Sequence, residues 1–270
     1  MASNNYIDTG KVVSEELANF ALGLSLADIP DEVVRHALLC ITDATGIAFA
    51  SHGYPFASKG IQASTNLGSY GEGLVIGYEK KFDCRDAAFI NGLLIHGLDY
   101  DDTHSESVIH ATASSLPTVI AGAEIWDATP SELLLAYIIG VETSARIGLI
   151  SGGKFQKAGF HPTGLIGIFG STLAASKIAK LSIPQIVSAQ GIALSMASGS
   201  MQFLEDGSWT KRIHPGLAAK SALNACSLAK ENFKGPSDAY SGRYGLFPLF
   251  LERTDVCLLY TSPSPRDVEE

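Results

Sequence analysis

From Leu181 to Leu204 the chain carries no charged side chain, its longest such run. A lipid-facing span is excluded, because Pro184, three glutamines and five serines make the stretch too polar for hydrocarbon. A buried helix accounts for it. The preceding residues, Pro162 to Leu181, are rich in Gly, Ala and Ser, which lets helices approach closely in a crowded interior. A chain with two such successive stretches needs other helices around them, and the rest of the sequence supplies these.

Val12 to Leu24 has apolar Val13, Leu17, Phe20, Ala21 and Leu24 near helical spacing. After Pro30, Val33, Val34, Ala37, Leu38, Ile41, Ala44 and Ala48 continue an i, i+3, i+4 stripe that Gly53 and Pro55 close. Further helices are predicted over 57–66, 86–97, 118–126, 130–150, 184–200 and 215–233. Gly71 to Gly77 is the one strand-like piece. The fold class is therefore all-α.

At 270 residues and 46% hydrophobic content the core is ample. A formal net charge of −9 and a pI near 5.2 argue against nucleic acid or an anionic membrane as partner. An anionic substrate stays open, since Lys211, Arg212 and His214 can reverse the field locally. Cys40, Cys84, Cys226 and Cys257 are widely spaced, with no Cys-x-x-Cys pair, which suits reduced thiols in a cytoplasm-like compartment. The first residues show no basic region followed by an apolar core, so no secretory signal is expected.

Chemistry concentrates between Asn91 and Pro117. An apolar segment carrying His96 runs into Asp99, Asp101, Asp102, Thr103, His104 and His110. Such a density of titratable groups beside a hydrophobic run is costly unless they are solvated, paired or bound to something. An acidic, solvated helix terminus is the plain alternative.

Leu98-Asp-Tyr-Asp-Asp-Thr-His104, with a later histidine and Leu116-Pro117, resembles the motif of the MmgE/PrpD family. Gly159-Phe-His-Pro-Thr-Gly164 and Asp206-Gly-Ser-Trp-Thr-Lys-Arg-Ile-His-Pro-Gly216 are similar to that family's later motifs, in the same order. The family includes 2-methylcitrate dehydratases, cis-aconitate decarboxylases and iminodisuccinate epimerases. The resemblance implies a helical main domain, a small di- or tricarboxylate substrate, proton transfer beside a carboxylate without metal or cofactor, and a homodimer. It favours a 2-methylcitrate dehydratase-type lyase, with the decarboxylase and epimerase activities as alternatives.

Carried over motif by motif, the resemblance assigns catalysis to Asp99, Thr103, His110 and His161, and substrate binding to Lys211, with Arg212 and His214 beside it. Asp99 and Thr103 lie four apart, on one face if the helix continues. His110 stands one residue further from the aspartates than in some decarboxylases and precedes Ala111 where many members have proline. Histidine suits proton transfer near neutrality, a lysine suits a carboxylate, and Gly164 and Gly216 suit tight packing.

Two rival readings make different expectations. A metal-dependent hydrolase would use Asp99, Asp101, His104 and His110, although no His-Glu-x-x-His spacing is present. A helical interaction module would leave His161 and Lys211 far apart and exposed. The helical domain is expected over 1–252, truncated before the family's α+β lid and inactive alone. Residues 253–270, with Pro263 and Pro265, resemble translated adapter sequence.

Overall fold

The Gly-, Ala- and Ser-rich stretch before Leu181 becomes the centre of the molecule in the computed structural model, which describes residues 12–251. The helix Pro162–Ile178 (α8 in chain order) buries every residue except Lys177. Ahead of it come α1 (Val13–Gly23), α2 (Asp31–Ser51), α3 (Pro55–Asn66), α4 (Cys84–Ile95), α5 (Thr112–Trp126), α6 (Pro130–Ser151) and the short α7 (Lys154–Lys157). After it follow α9 (Ile183–Leu194), the single turn α10 (Phe203–Asp206), α11 (Thr210–Lys230) and α12 (Leu246–Leu251). Helices α5, α6, α9 and α11 surround α8, and α4 lies across α11 and α5. The fold is mostly α-helical; the boundary at 252 and the tail 253–270 fall outside the described residues.

Local chemistry sets several helix ends. The hydroxyl of Thr129 accepts from Glu132 N while the Glu132 carboxylate accepts from Thr129 N, a reciprocal cap on α6 with Pro130 at its first position. Gly152, at φ 52°, ends the same helix. Helix α6 is mostly buried, whereas α2 turns Leu38, Leu39 and Phe49 outward. Both are long and apolar enough to cross a membrane by length and composition.

Four expectations need correction. Beside Gly73–Val75 (β1), an antiparallel strand Tyr78–Phe82 (β2) completes a hairpin, with Val75 opposite Tyr78 and Gly73 opposite Phe82. Its Glu79-Lys80-Lys81 run is exposed throughout and shows no alternation to read. Helices α5 and α11 begin six and five residues before expectation allowed, with Pro117 and Pro215 inside them. A proline in the second turn forfeits one amide bond without ending the helix. The carboxylate of Asp102 accepts from Thr112 N (3.2 Å), which supplies α5 with its first partner. Helix α9 stops at Leu194 rather than Ser200. Helix α4 also stops early, at Ile95, with consequences for the site.

Candidate active site

Three chain segments converge where α4, α8 and α11 meet. Helix α4 ends at Ile95, and Asp99 adopts φ 60°, a left-handed conformation that Asp tolerates better than most residues. The expected helical face joining Asp99 to Thr103 therefore does not exist. Both residues instead meet His110: its Nδ1 lies 3.3 Å from Thr103 Oγ1 and its Nε2 lies 3.7 Å from Asp99 Oδ1. His110 N donates to Thr163 Oγ1 (3.1 Å), tying this loop to the start of α8.

His161 is the N-cap residue of α8, and His214 lies in the second turn of α11. Their Nδ1 atoms are 3.0 Å apart, and both side chains are buried. A hydrogen bond between two imidazole nitrogens needs one donor and one acceptor, so the two rings hold complementary tautomers. Desolvation pushes His161 down to about 2, helped by nearby groups able to carry positive charge, His96 first. Desolvation and His96 push His214 down to about 4. Both rings are neutral at physiological pH.

The histidines form a row. His96 lies 4.8 Å from His110 and 5.4 Å from His161 between ring centroids, and His161 lies 5.2 Å from His214. Phe203 of α10 packs edge-on against His161, lining the row with an apolar wall. His96 Nδ1 lies 2.9 Å from Asp101 Oδ2, and both side chains are completely buried.

Lys211, at the start of α11, stands at the rim. Its Nζ lies 2.6 Å from both Asp99 oxygens. Burial alone would raise the Asp99 pKa; the Lys211 bond and charge, then His96 and His110, outweigh it and hold the carboxyl below its ordinary value. Arg212 donates from Nε to Gly97 O (2.8 Å) and lays its guanidinium over Phe56, 4.9 Å from the ring centre. It fastens the loop after α4 to α11. The expected trio Lys211, Arg212 and His214 thus divides, with lysine at the rim, arginine on the loop backbone and His214 inside the histidine row.

Close helix approach makes this convergence possible. A Cβ on Gly92 of α4 would stand 2.5 Å from Gly216 Cα of α11, and one on Gly164 would stand 2.9 Å from His214 Cβ. Gly164 and Gly216 act in packing.

The buried hydrogen-bonded pair of Asp101 and His96 was not legible in the sequence. Asp101 follows a non-helical turn whose shape spacing does not encode. Thr163 is a further residue without an assigned role whose hydroxyl meets His110. His104 lies apart, its Nδ1 accepting from Ser107 N (3.3 Å) and its Nε2 3.7 Å from Glu106.

A metal set including His104 is therefore not assembled. His96, Asp99, Asp101 and His110 do bring one donor atom each within 4.8 Å of one another. Such donors suit a divalent cation. Protein groups already engage two of them, Lys211 on Asp99 and His96 on Asp101. His161 is buried in the cluster whose rim Lys211 occupies, contrary to the separated, exposed pair of an interaction module.

The fold and this cluster define a helical protein with buried histidines and an aspartate at the meeting of three helices and a lysine at their rim. The chain belongs to the MmgE/PrpD family: residues 15–258 match the MmgE/PrpD N-terminal domain. It is 28% identical over 243 residues to the cis-aconitate decarboxylase-like protein oryM of Aspergillus oryzae, covering 87% of this chain and 50% of that one. It is 30% identical over 241 residues to the cis-aconitate decarboxylase of Aspergillus terreus, covering 87% and 49%. The mouse (Mus musculus) cis-aconitate decarboxylase is 31% identical over 231 residues, covering 83% and 47%. The chain spans about half the length of these curated relatives.

Proposed function

We propose that the full-length protein is a lyase acting on a small di- or tricarboxylate by proton transfer at a carbon beside a carboxylate. The observation that carries this is the Lys211 ammonium at the rim of the histidine row, where it already holds one carboxylate, that of Asp99. Lys211 would bind a substrate carboxylate and offset the enediolate-like charge that grows as a neighbouring C–H bond is broken. His110 and His161 would carry the proton, and Thr103 would supply a hydrogen bond. Arg212 and His214 would shape the site rather than bind substrate directly.

Two lyase activities fit the same groups. In dehydration of a 2-methylcitrate-type substrate, an imidazole removes the proton and the leaving hydroxyl takes one. In decarboxylation of a cis-aconitate-type substrate, carbon dioxide leaves and an imidazolium protonates the carbon. The matched relatives named cis-aconitate decarboxylase support the second, while iminodisuccinate epimerisation is the third activity to test. No metal or cofactor is needed for these steps. The reading includes a homodimer in a reducing, cytoplasmic setting with neither nucleic acid nor membrane as partner. The 270-residue chain alone is expected to be inactive.

The test is an assay of the full-length protein against cis-aconitate, 2-methylcitrate, citrate and iminodisuccinate, with and without a chelator. Turnover of cis-aconitate, 2-methylcitrate or citrate that survives chelation is expected. Turnover of iminodisuccinate alone, failure with all four, or loss of turnover on chelation that added metal restores, would overturn the proposal.

A further inference from the structure

The proton-transfer reading leaves two fully buried groups without a task, His96 and Asp101. His96 Nδ1 reaches both oxygens of Asp101, at 2.9 and 3.1 Å. A carboxylate accepts hydrogen bonds, so His96 Nδ1 bears the hydrogen. His96 Nε2 is enclosed, with no hydrogen-bond partner among the described residues. The ring's visible engagement is therefore to hold Asp101.

Asp101 has a second neighbour. Its Oδ1 lies 3.6 Å from His110 Nδ1, and its backbone oxygen lies 3.4 Å from the same nitrogen. Thr103 Oγ1 lies 3.3 Å from both Asp101 O and His110 Nδ1, and its single hydrogen can serve either. Three oxygens surround that nitrogen, and the two that belong to Asp101 can only accept. A hydrogen on His110 Nδ1 suits them and leaves the neutral ring's Nε2 a bare lone pair. That nitrogen faces the rim beside Asp99, whose two oxygens Lys211 already engages. The His110 side chain keeps 16% of its surface exposed there, whereas His96 and His161 are enclosed.

We propose that Asp101, held in place by His96, is a positioning residue that fixes the His110 tautomer and so presents Nε2 as the proton acceptor. The role rests on the proton-transfer reading above. In dehydration or epimerisation the substrate proton moves to His110 Nε2 and the C–H bonding pair stays on the substrate; in decarboxylation the imidazolium Nε2 gives its proton to the carbon that carbon dioxide has left. The charge on the imidazolium is offset by the Asp101 carboxylate, which gains no proton. The logic parallels the buried aspartate that orients the histidine of serine proteases.

The tautomer can be read without turnover, by long-range proton–nitrogen NMR correlations on the 270-residue chain with ¹⁵N-labelled histidine. His110→Gln identifies the resonances, and the pH is raised until the ring is neutral. A hydrogen on Nδ1 and a bare Nε2 are expected. The opposite tautomer in the unsubstituted chain overturns the proposal with no variant having to fold. Asp101→Asn should move the hydrogen toward Nε2, whereas His96→Asn, which keeps an N–H directed at Asp101, should leave it on Nδ1. An unchanged tautomer in a folded Asp101→Asn chain also overturns it.

In the full-length enzyme, Asp101→Asn should lower kcat about a hundred- to ten-thousandfold with KM little changed. A raised KM at unchanged kcat would show Asp101 to be a binding group instead. Absence of turnover in the unsubstituted enzyme would defeat the lyase reading, while the NMR result still decides the tautomer.

Discussion

Lys211 Nζ lies 2.6 Å from both carboxylate oxygens of Asp99, a contact that spans 112 positions of sequence and joins α11 to the loop after α4. It is a two-oxygen grip on a carboxylate, a quarter exposed on the lysine side and half exposed on the aspartate side. An exposed ion pair contributes little to stability, so the chemistry it offers a ligand is the more consequential property.

Replacing Lys211 by Ala should raise KM for the carboxylate substrate about ten- to a hundredfold in the full-length enzyme. A charge-assisted contact of about 1.5–3 kcal/mol corresponds to that range. Steady-state kinetics decide, with circular dichroism to confirm folding. A normal KM in a folded variant would remove Lys211 from substrate binding.

His161→Ala should instead act on the chemical step, lowering kcat by about a hundred- to ten-thousandfold. His161 is enclosed and pushed down to about 2, so a retained rate would make it a structural partner of His214. His110, at the rim, would then carry the proton alone. The two outcomes separate cleanly in kcat.

Acid should destabilise the fold through the same cluster. Above about pH 6.5 His161 and His214 are neutral whether folded or unfolded. Below it the unfolded chain takes up two protons that the folded cluster refuses until about pH 4 for His214 and about 2 for His161. Stability therefore falls as pH falls through that window. Asp102, pushed up to about 6 by burial and by Asp101, works the other way, because between about 6 and 3.8 the folded state takes the proton first. Two protons against one leave a net loss of about 1.4 kcal/mol per pH unit between pH 6 and 4. Urea unfolding across this range should show the midpoint dropping, and His161→Gln should largely flatten the slope. A midpoint independent of pH in the unsubstituted chain would contradict the buried neutral pair.

Adding one methyl group at the α4–α11 crossing should be costly. A Cβ on Gly216 would collide with Phe89 O, and one on Gly92 with Gly216 itself. Gly216→Ala and Gly92→Ala are each expected to destabilise by about 1–3 kcal/mol, the usual range for overpacking. They should also loosen the Lys211–Asp99 contact, because the crossing sets the distance between α11 and the loop after α4. Denaturation midpoints equal to the parent would show that the helices can separate without loss.

Most of the helices were legible because their apolar positions repeat at 3.6 residues, as at Val13, Leu17 and Ala21, all buried on one face of α1. Punctuation was less trustworthy. A helix was expected to begin after Pro117 and another at Pro215, yet each proline lies inside a helix. The strand Tyr78–Phe82 escaped notice because three consecutive exposed residues erase the period of two.

The sequence by itself determined the helical class, the family and the residue types available for chemistry, because periodicity and ordered motifs are local properties of the chain. It singled out Asp99, His110, His161 and Lys211 but gave no means of knowing which would touch. Tertiary structure decided that His161 pairs with His214, that Asp99 meets Lys211 and that Arg212 clasps a backbone oxygen. It also made a pair of His96 and Asp101. Those outcomes depend on the left-handed turn at Asp99 and on glycine-to-glycine contact between helices. Proximity across more than fifty residues is a property of packing, and packing also sets the desolvation that keeps the histidine pair neutral.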